Sequence, residues 1–130
     1  PDVVIIHGPV FGDYDKPGHK VSGRSGIPAF ETSGGDVDHW EELTRAGLPP
    51  WQAKKLYCLA SQSYPMTLDL APLSDIPLKG TDGTCGDWAE FVIRNFQSQG
   101  VYHARKGKLC LIKSLVDVPE NEISVFDGLE

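Results

Sequence analysis

The chain predicts an α+β fold, with about three helices packed on a small, mainly antiparallel sheet. Three observations lead there. Apolar residues recur at helical spacing behind a capping signal over 84–96, two further helix starts fall within 38–61, and the stretch after Gly100 switches to a period of two. At 130 residues the chain is expected to form one domain, 1–130, large enough for a single core without metal or disulfide staples.

Val3-Val4-Ile5-Ile6 is a β-branched run closed by His7-Gly8-Pro9, the pattern of a buried strand. From Gly8 to Gly35 the chain is rich in Gly, Pro, Ser and Asp, and reads as a loop or hairpin. Its strand pieces would be Lys20-Val21-Ser22 and Ile27 to Glu31, around an Arg24-Ser25-Gly26 turn. Asp38-His39-Trp40-Glu41 is a D-x-x-E capping box opening a short helix that Gly47 stops. Pro49 and Pro50 then start another, Trp51 to about Ser61, with Ala53, Leu56, Tyr57, Leu59 and Ala60 on its apolar face. Met66 to Leu70 reads as a strand or extended lead-in, and Asp69 to Gly83 as a proline-rich loop. Beyond Gly100, Val101 to Ala104, Leu109 to Leu115 and Ile123 to Phe126 read as antiparallel strands.

The most informative segment lies between, at Thr84-Cys85-Gly86-Asp87-Trp88. Thr84 suits an N-cap, and Asp87 three residues later completes a T-x-x-D capping box. Cys85 is then the first helical residue, Trp88, Phe91, Val92 and Phe96 form a stripe that should face a core, and Gly100 should close the helix. A helix N-terminus carries about half a positive charge, which favours a thiolate and makes Cys85 the candidate nucleophile. Cys58 and Cys110 fall in apolar runs and read as core. Three cysteines spaced 27 and 25 residues apart match no metal or redox motif and cannot all pair, which implies reduced thiols.

A cysteine nucleophile needs a base within hydrogen-bond reach, and the chain offers four histidines. His39 is accounted for by its capping box. His103 follows Cys85 by 18 residues, which allows only a helix and a return strand, so its reach to the helix start is short. His19, 66 residues upstream, is the leading base, with His7 and His103 as alternatives.

A histidine on an early strand, a Tyr64-x-x-x-Leu68 lead-in and a late helix opening on Thr84-Cys85-Gly86-Asp87-Trp88 together resemble the circularly permuted papain-like group. That group includes NlpC-type, lecithin retinol acyltransferase-like and PPPDE-type proteins. Gly18-His19 is similar to the group's Gly-His strand. Thr84 stands where the group often has Asn, and Trp88 where it has Phe. The same helix resembles the transglutaminase-like core through G-x-C-x-x-W-A, Arg94 and Gly100-Val101. The resemblance implies a papain-like, circularly permuted fold with a Cys85–His19 dyad. A third polar residue on the strand after the histidine would orient the imidazole, Glu31 being nearest and Asp13 and Asp15 its rivals. The oxyanion would be held at the Cys85 N–H, with the Asp82-Gly83-Thr84 loop beside it.

The net charge of −6 and pI near 5.1 argue against a nucleic-acid or anionic-membrane partner, and a nuclease ranks a poor third, since no paired carboxylates suggest a metal site. His103-Ala104-Arg105-Lys106-Gly107-Lys108, the one basic cluster, reads as a solvated turn. No apolar stretch approaches a membrane span and no secretory leader is visible. A reduced-thiol compartment follows, or secretion as an effector without a visible leader. No cofactor or metal is expected. Two functions fit. One is a cysteine hydrolase or acyltransferase attacking an amide, isopeptide or ester carbonyl in a protein, peptide or peptidoglycan-like substrate, as in a bacterial effector or toxin. The other is a non-enzymatic domain with Cys85 buried, in which Trp40, Trp51 and the Gly-rich 8–35 segment serve a protein partner or inhibitor.

Overall fold

The computed structural model describes residues 1–9, 17–35, 41–59, 64–95 and 107–129, without the side chains of Pro17, His19 and Lys20. Among these residues the fold is α+β, with three α-helices and a four-stranded mixed sheet. In chain order come β1 (Val3–Ile6), α1 (Pro17–Thr32), α2 (Glu41–Arg45), β2 (Lys55–Leu59), β3 (Met66–Asp69), a 3₁₀ helix (Ala71–Asp75), α3 (Cys85–Arg94) and β4 (Lys108–Ser114). The strand order is β1-β2-β4-β3; β1 runs parallel to β2, and β4 is antiparallel to both its neighbours.

The sheet separates two clusters. On one side Phe30, Ala53 and Leu56 are packed by Val4, Ile6, Ile27 and Ile112 under α1. On the other, Tyr57, Leu68 and Leu109 are packed by Val3, Leu70, Leu111 and Val125. The alternation of Leu56 and Tyr57 between the two faces is the pleat of a central strand.

Three segments depart from the sequence expectation. Where a helix is expected over 51–61, the described residues 51–59 form none: 55–59 are the central strand β2, buried from Lys55 to Cys58, and 60–61 lie outside the described residues. A short apolar run fits either structure, and the backbone hydrogen bonds offered by β1 and β4 on its two sides decide for strand. The Gly-rich segment is no hairpin from residue 17 on, since both strand pieces, 20–22 and 27–31, lie in α1. Gly23, Gly26, Ile27 and Phe30 fall at i, i+3, i+4 and i+7, one helical stripe of small and apolar residues. A Cβ on Gly23 would stand 2.6 Å from the His7 carbonyl oxygen, and one on Gly26 2.8 Å from the Ile6 side chain. The glycines therefore let α1 approach the end of β1 rather than turn the chain. Residues 123–126 form turns rather than a strand, with Asp127 Oδ2 accepting from the N–H groups of Ile123 (2.8 Å) and Ser124 (3.0 Å).

Other expectations hold. β1, β3 and β4 occupy the expected stretches, and Ala71–Asp75 adds a 3₁₀ turn inside the proline-rich connection. Gly47 stops α2 at φ +74°, with Leu48 N–H donating to Leu43 (2.9 Å) and Gly47 N–H to Thr44 (3.0 Å), a Schellman motif. α3 ends at Arg94 with Asn95 as its C-cap, earlier than expected. Gly100, the strand expected at 101–104, His39 and Trp40 lie outside the described residues.

Candidate functional site

The start of α3 has the local chemistry its sequence predicts. Thr84 is extended (φ −92°, ψ 167°), its hydroxyl accepts from Asp87 N–H at 3.2 Å, and Asp87 Oδ2 accepts from Thr84 N–H at 2.9 Å. All of this is settled within four residues, which is why it was legible. Cys85 is the first helical residue, a free thiol of intermediate burial. Its backbone N–H donates to the Ile76 carbonyl at 2.8 Å, beside an antiparallel bridge between Pro77 and Thr84. The donor expected to hold an oxyanion is thus spent on fastening α3 to the 3₁₀ segment.

Of the expected partners of Cys85, only His7 and Glu31 have described side chains. His7 follows β1 and is half-buried, its carbonyl close under Gly23. His19 lies in the first turn of α1, its side chain outside the described residues, and His103 lies outside them altogether. Glu31, expected on a strand after the histidine, is instead in the last turn of the same helix. At about 1.5 Å rise per residue, His19 and Glu31 stand roughly 18 Å apart along the helix axis, too far for Glu31 to orient an imidazole there. Glu31 is exposed and accepts from Lys113 Nζ at 2.7 Å. The structure thus brings Thr84, Cys85 and Asp87 together and gives Glu31 to β4. α1 packs on β1 and β2, while α3 packs on the 3₁₀ helix that follows β3 at the other edge of the sheet.

Of the stripe expected in a core, Trp88, Phe91 and Val92 face outward, and Phe96 lies outside the described residues. Trp88, Phe91 and Val92 are 42%, 59% and 48% exposed. Trp88 and Phe91 meet edge to face with centroids 5.6 Å apart, and Ile76, across the first turn, is also exposed. Gly86 is buried, and Cys85, Ala89 and Ile93 are half-buried, Cys85 standing in the row of Val92 at the inner edge of the exposed stripe. Asp87, Glu90 and Arg94 flank the apolar stripe, the last two 3.8 Å apart.

A polar cluster that the sequence reading missed lies in the core. Lys55 and Tyr57, two apart on β2, are fully buried on one face of the sheet, and both donate to Glu122 Oε1 from the C-terminal segment. Lys55 Nζ also donates to the Asp127 carbonyl at 3.0 Å and stands 5.2 Å from the Tyr57 ring centroid. Burial, then the Glu122 hydrogen bond and the charges of Glu122 and Asp127, hold the Tyr57 hydroxyl far above its ordinary range. A lysine at period two with a tyrosine in an apolar run was the available signal. The cluster anchors residues 115–129 over the second face of the sheet.

A cavity of about 370 Å³ opens on the other face, between α1, β1 and the Pro49-Pro50-Trp51 segment. Among the described residues no helix is long and apolar enough to cross a membrane, and no group of three or more His, Cys, Asp or Glu is placed to hold a metal. Comparison with protein-family models, curated proteins and solved structures finds no match to this chain.

Proposed function

We propose that the chain is a protein-interaction domain that docks a partner on the outward face of α3. The observation that carries this reading is the exposure of Trp88, Phe91 and Val92 together. An amphipathic helix gains stability by burying its stripe, so a stripe left in water and flanked by charged residues marks a surface that a partner covers. Aromatic residues clustered this way are the usual anchors of an interface. The test is a photo-crosslinking amino acid at position 91, with the exposed position 43 on α2 as control. A discrete adduct from position 91, absent from position 43 and lost in Trp88→Asp, is expected; equal labelling from both positions refutes the surface.

A second reading is favoured by the capping box at Cys85: a cysteine hydrolase or acyltransferase of the papain-like kind. Its thiolate would attack an amide, isopeptide or ester carbonyl, with His19, His7 or His103 moving the proton. The half-buried thiol at a capped helix start supports it; the engagement of Cys85 N–H by Ile76 weighs against an oxyanion site at that atom. Iodoacetamide labelling of Cys85 across pH separates the readings. Fast labelling near neutral pH, slowed by one of His7→Ala, His19→Ala or His103→Ala, selects the enzyme. Labelling no faster than that of a free thiol, and indifferent to all three, selects the interaction domain.

A further inference from the structure

We infer that the cavity between α1 and the Pro49-Pro50-Trp51 segment is a binding site for an uncharged, apolar small molecule of about two fused rings. It is separate from the α3 surface and does not depend on it. Val4, Ala29, Phe30, Pro49, Pro50 and Trp51 form its principal walls, and no ionisable side chain is among the described lining residues. The side chains of the lining offer an ionised ligand no counter-charge for the hydration it would lose, the amine of Pro1 being the one ionisable group among the described lining residues.

Around Phe30 and Ser33 the polar atoms bordering the cavity are satisfied within its wall. The Phe30 carbonyl accepts from Gln52 Nε2 at 2.9 Å and from Ser33 Oγ at 3.0 Å. Gln52 Nε2 also donates to the Ala53 carbonyl at 3.0 Å, and Gln52 Oε1 accepts from Gly34 N–H at 3.2 Å. Pro49 and Pro50 have no N–H to offer. The lining is predominantly apolar, so a ligand is held mainly by shape and contact, which favours hydrocarbon or aromatic surface over hydrogen-bonding groups.

The walls are set before a ligand arrives. Two prolines with fixed φ form one side, and α1, brought against β1 by Gly23 and Gly26, forms the other. Trp51, 57% exposed, offers an aromatic wall at the solvent side. An apolar cavity of about 150 Å³ holds one benzene ring. The 370 Å³ available here is about two and a half times that, room for a ligand of two fused rings rather than one.

The experiment titrates the chain with naphthalene, benzene and 1-naphthoate by calorimetry, with binding localised by methyl NMR shifts at Val4, Ala29 and Ala53. We expect saturable 1:1 binding of naphthalene, at least tenfold tighter than either of the others, with shifts at the methyl groups of those three residues. Ala29→Phe, which fills the cavity from an exposed position of α1, should weaken naphthalene at least tenfold while leaving the circular dichroism spectrum intact. Should that variant fail to fold, Trp51→Ala, which removes one wall, carries the same expectation. Absence of saturable naphthalene binding overturns the inference. So does 1-naphthoate binding as tightly as naphthalene, or binding that shifts α3 resonances and survives Ala29→Phe.

Discussion

Removal of the Glu122 carboxylate should destabilise this domain more than any surface substitution, because it leaves two buried donors without their shared acceptor. Lys55 is fully buried and its side chain is held by Glu122 and the Asp127 carbonyl; the Tyr57 hydroxyl is held by Glu122. Removing one partner of a buried ion pair costs about 3–5 kcal/mol, since the remaining charge keeps its desolvation penalty and loses its compensation. With an unfolding entropy near 2.1 cal/mol/K per residue, about 3.7 °C of melting temperature corresponds to 1 kcal/mol in a chain of 130 residues. Glu122→Ala should therefore melt roughly 11–18 °C lower, followed by far-ultraviolet circular dichroism. Lys55→Met should cost a similar amount, by stranding the carboxylate. The double variant Lys55→Met/Glu122→Leu, which removes both charges, should recover most of the loss and lie within about 2 kcal/mol of the parent. The reasoning fails if Glu122→Ala lies within about 1 kcal/mol of the parent, or if the two single losses simply add in the double variant.

The same cluster predicts an alkaline limb. The folded state keeps Tyr57 protonated above the unfolded pKa of about 10, so its stabilising effect is complete below that pH and declines above it, by up to about 1.4 kcal/mol per pH unit. Urea midpoints between pH 8 and 11 should fall more steeply in the parent than in Tyr57→Phe; parallel slopes would contradict it. Gly23→Ala should cost about 1–3 kcal/mol, because its Cβ would crowd the His7 and Gly8 carbonyls at 2.6 and 2.9 Å, whereas Gly18→Ala, with open space around it, should be neutral or gain up to about 1 kcal/mol. Equal melting temperatures for the two variants would remove the close-approach explanation of α1. Thr84→Ala should cost about 1 kcal/mol by opening the capping box, and Thr84→Ser should restore it; an unchanged Thr84→Ala would mean that the Cys85–Ile76 hydrogen bond alone holds the helix start.

By itself the sequence determined what neighbours in the chain decide among themselves. Thr84 and Asp87 cap each other across three residues, and Gly47 closes α2 through bonds to the preceding turn. The runs at β1, β3 and β4 fit their strands. The two caps need no distant partner, and the three runs carry a strand pattern in their own residues although their hydrogen bonds come from other strands. The tertiary structure decided what depends on a distant partner. Residues 55–59 are a strand because β1 and β4 supply hydrogen bonds on both sides, which composition cannot announce. Gly23 and Gly26 serve a helix that closes on β1, whose end stands where their side chains would be. Lys55 is a core residue because Glu122, 67 positions later, returns to meet it. Likewise the spacing of Trp88, Phe91 and Val92 specified that α3 has an apolar face. Periodicity fixes where a stripe runs around a helix; what covers it is a property of the surrounding packing, and here the fold leaves it to solvent.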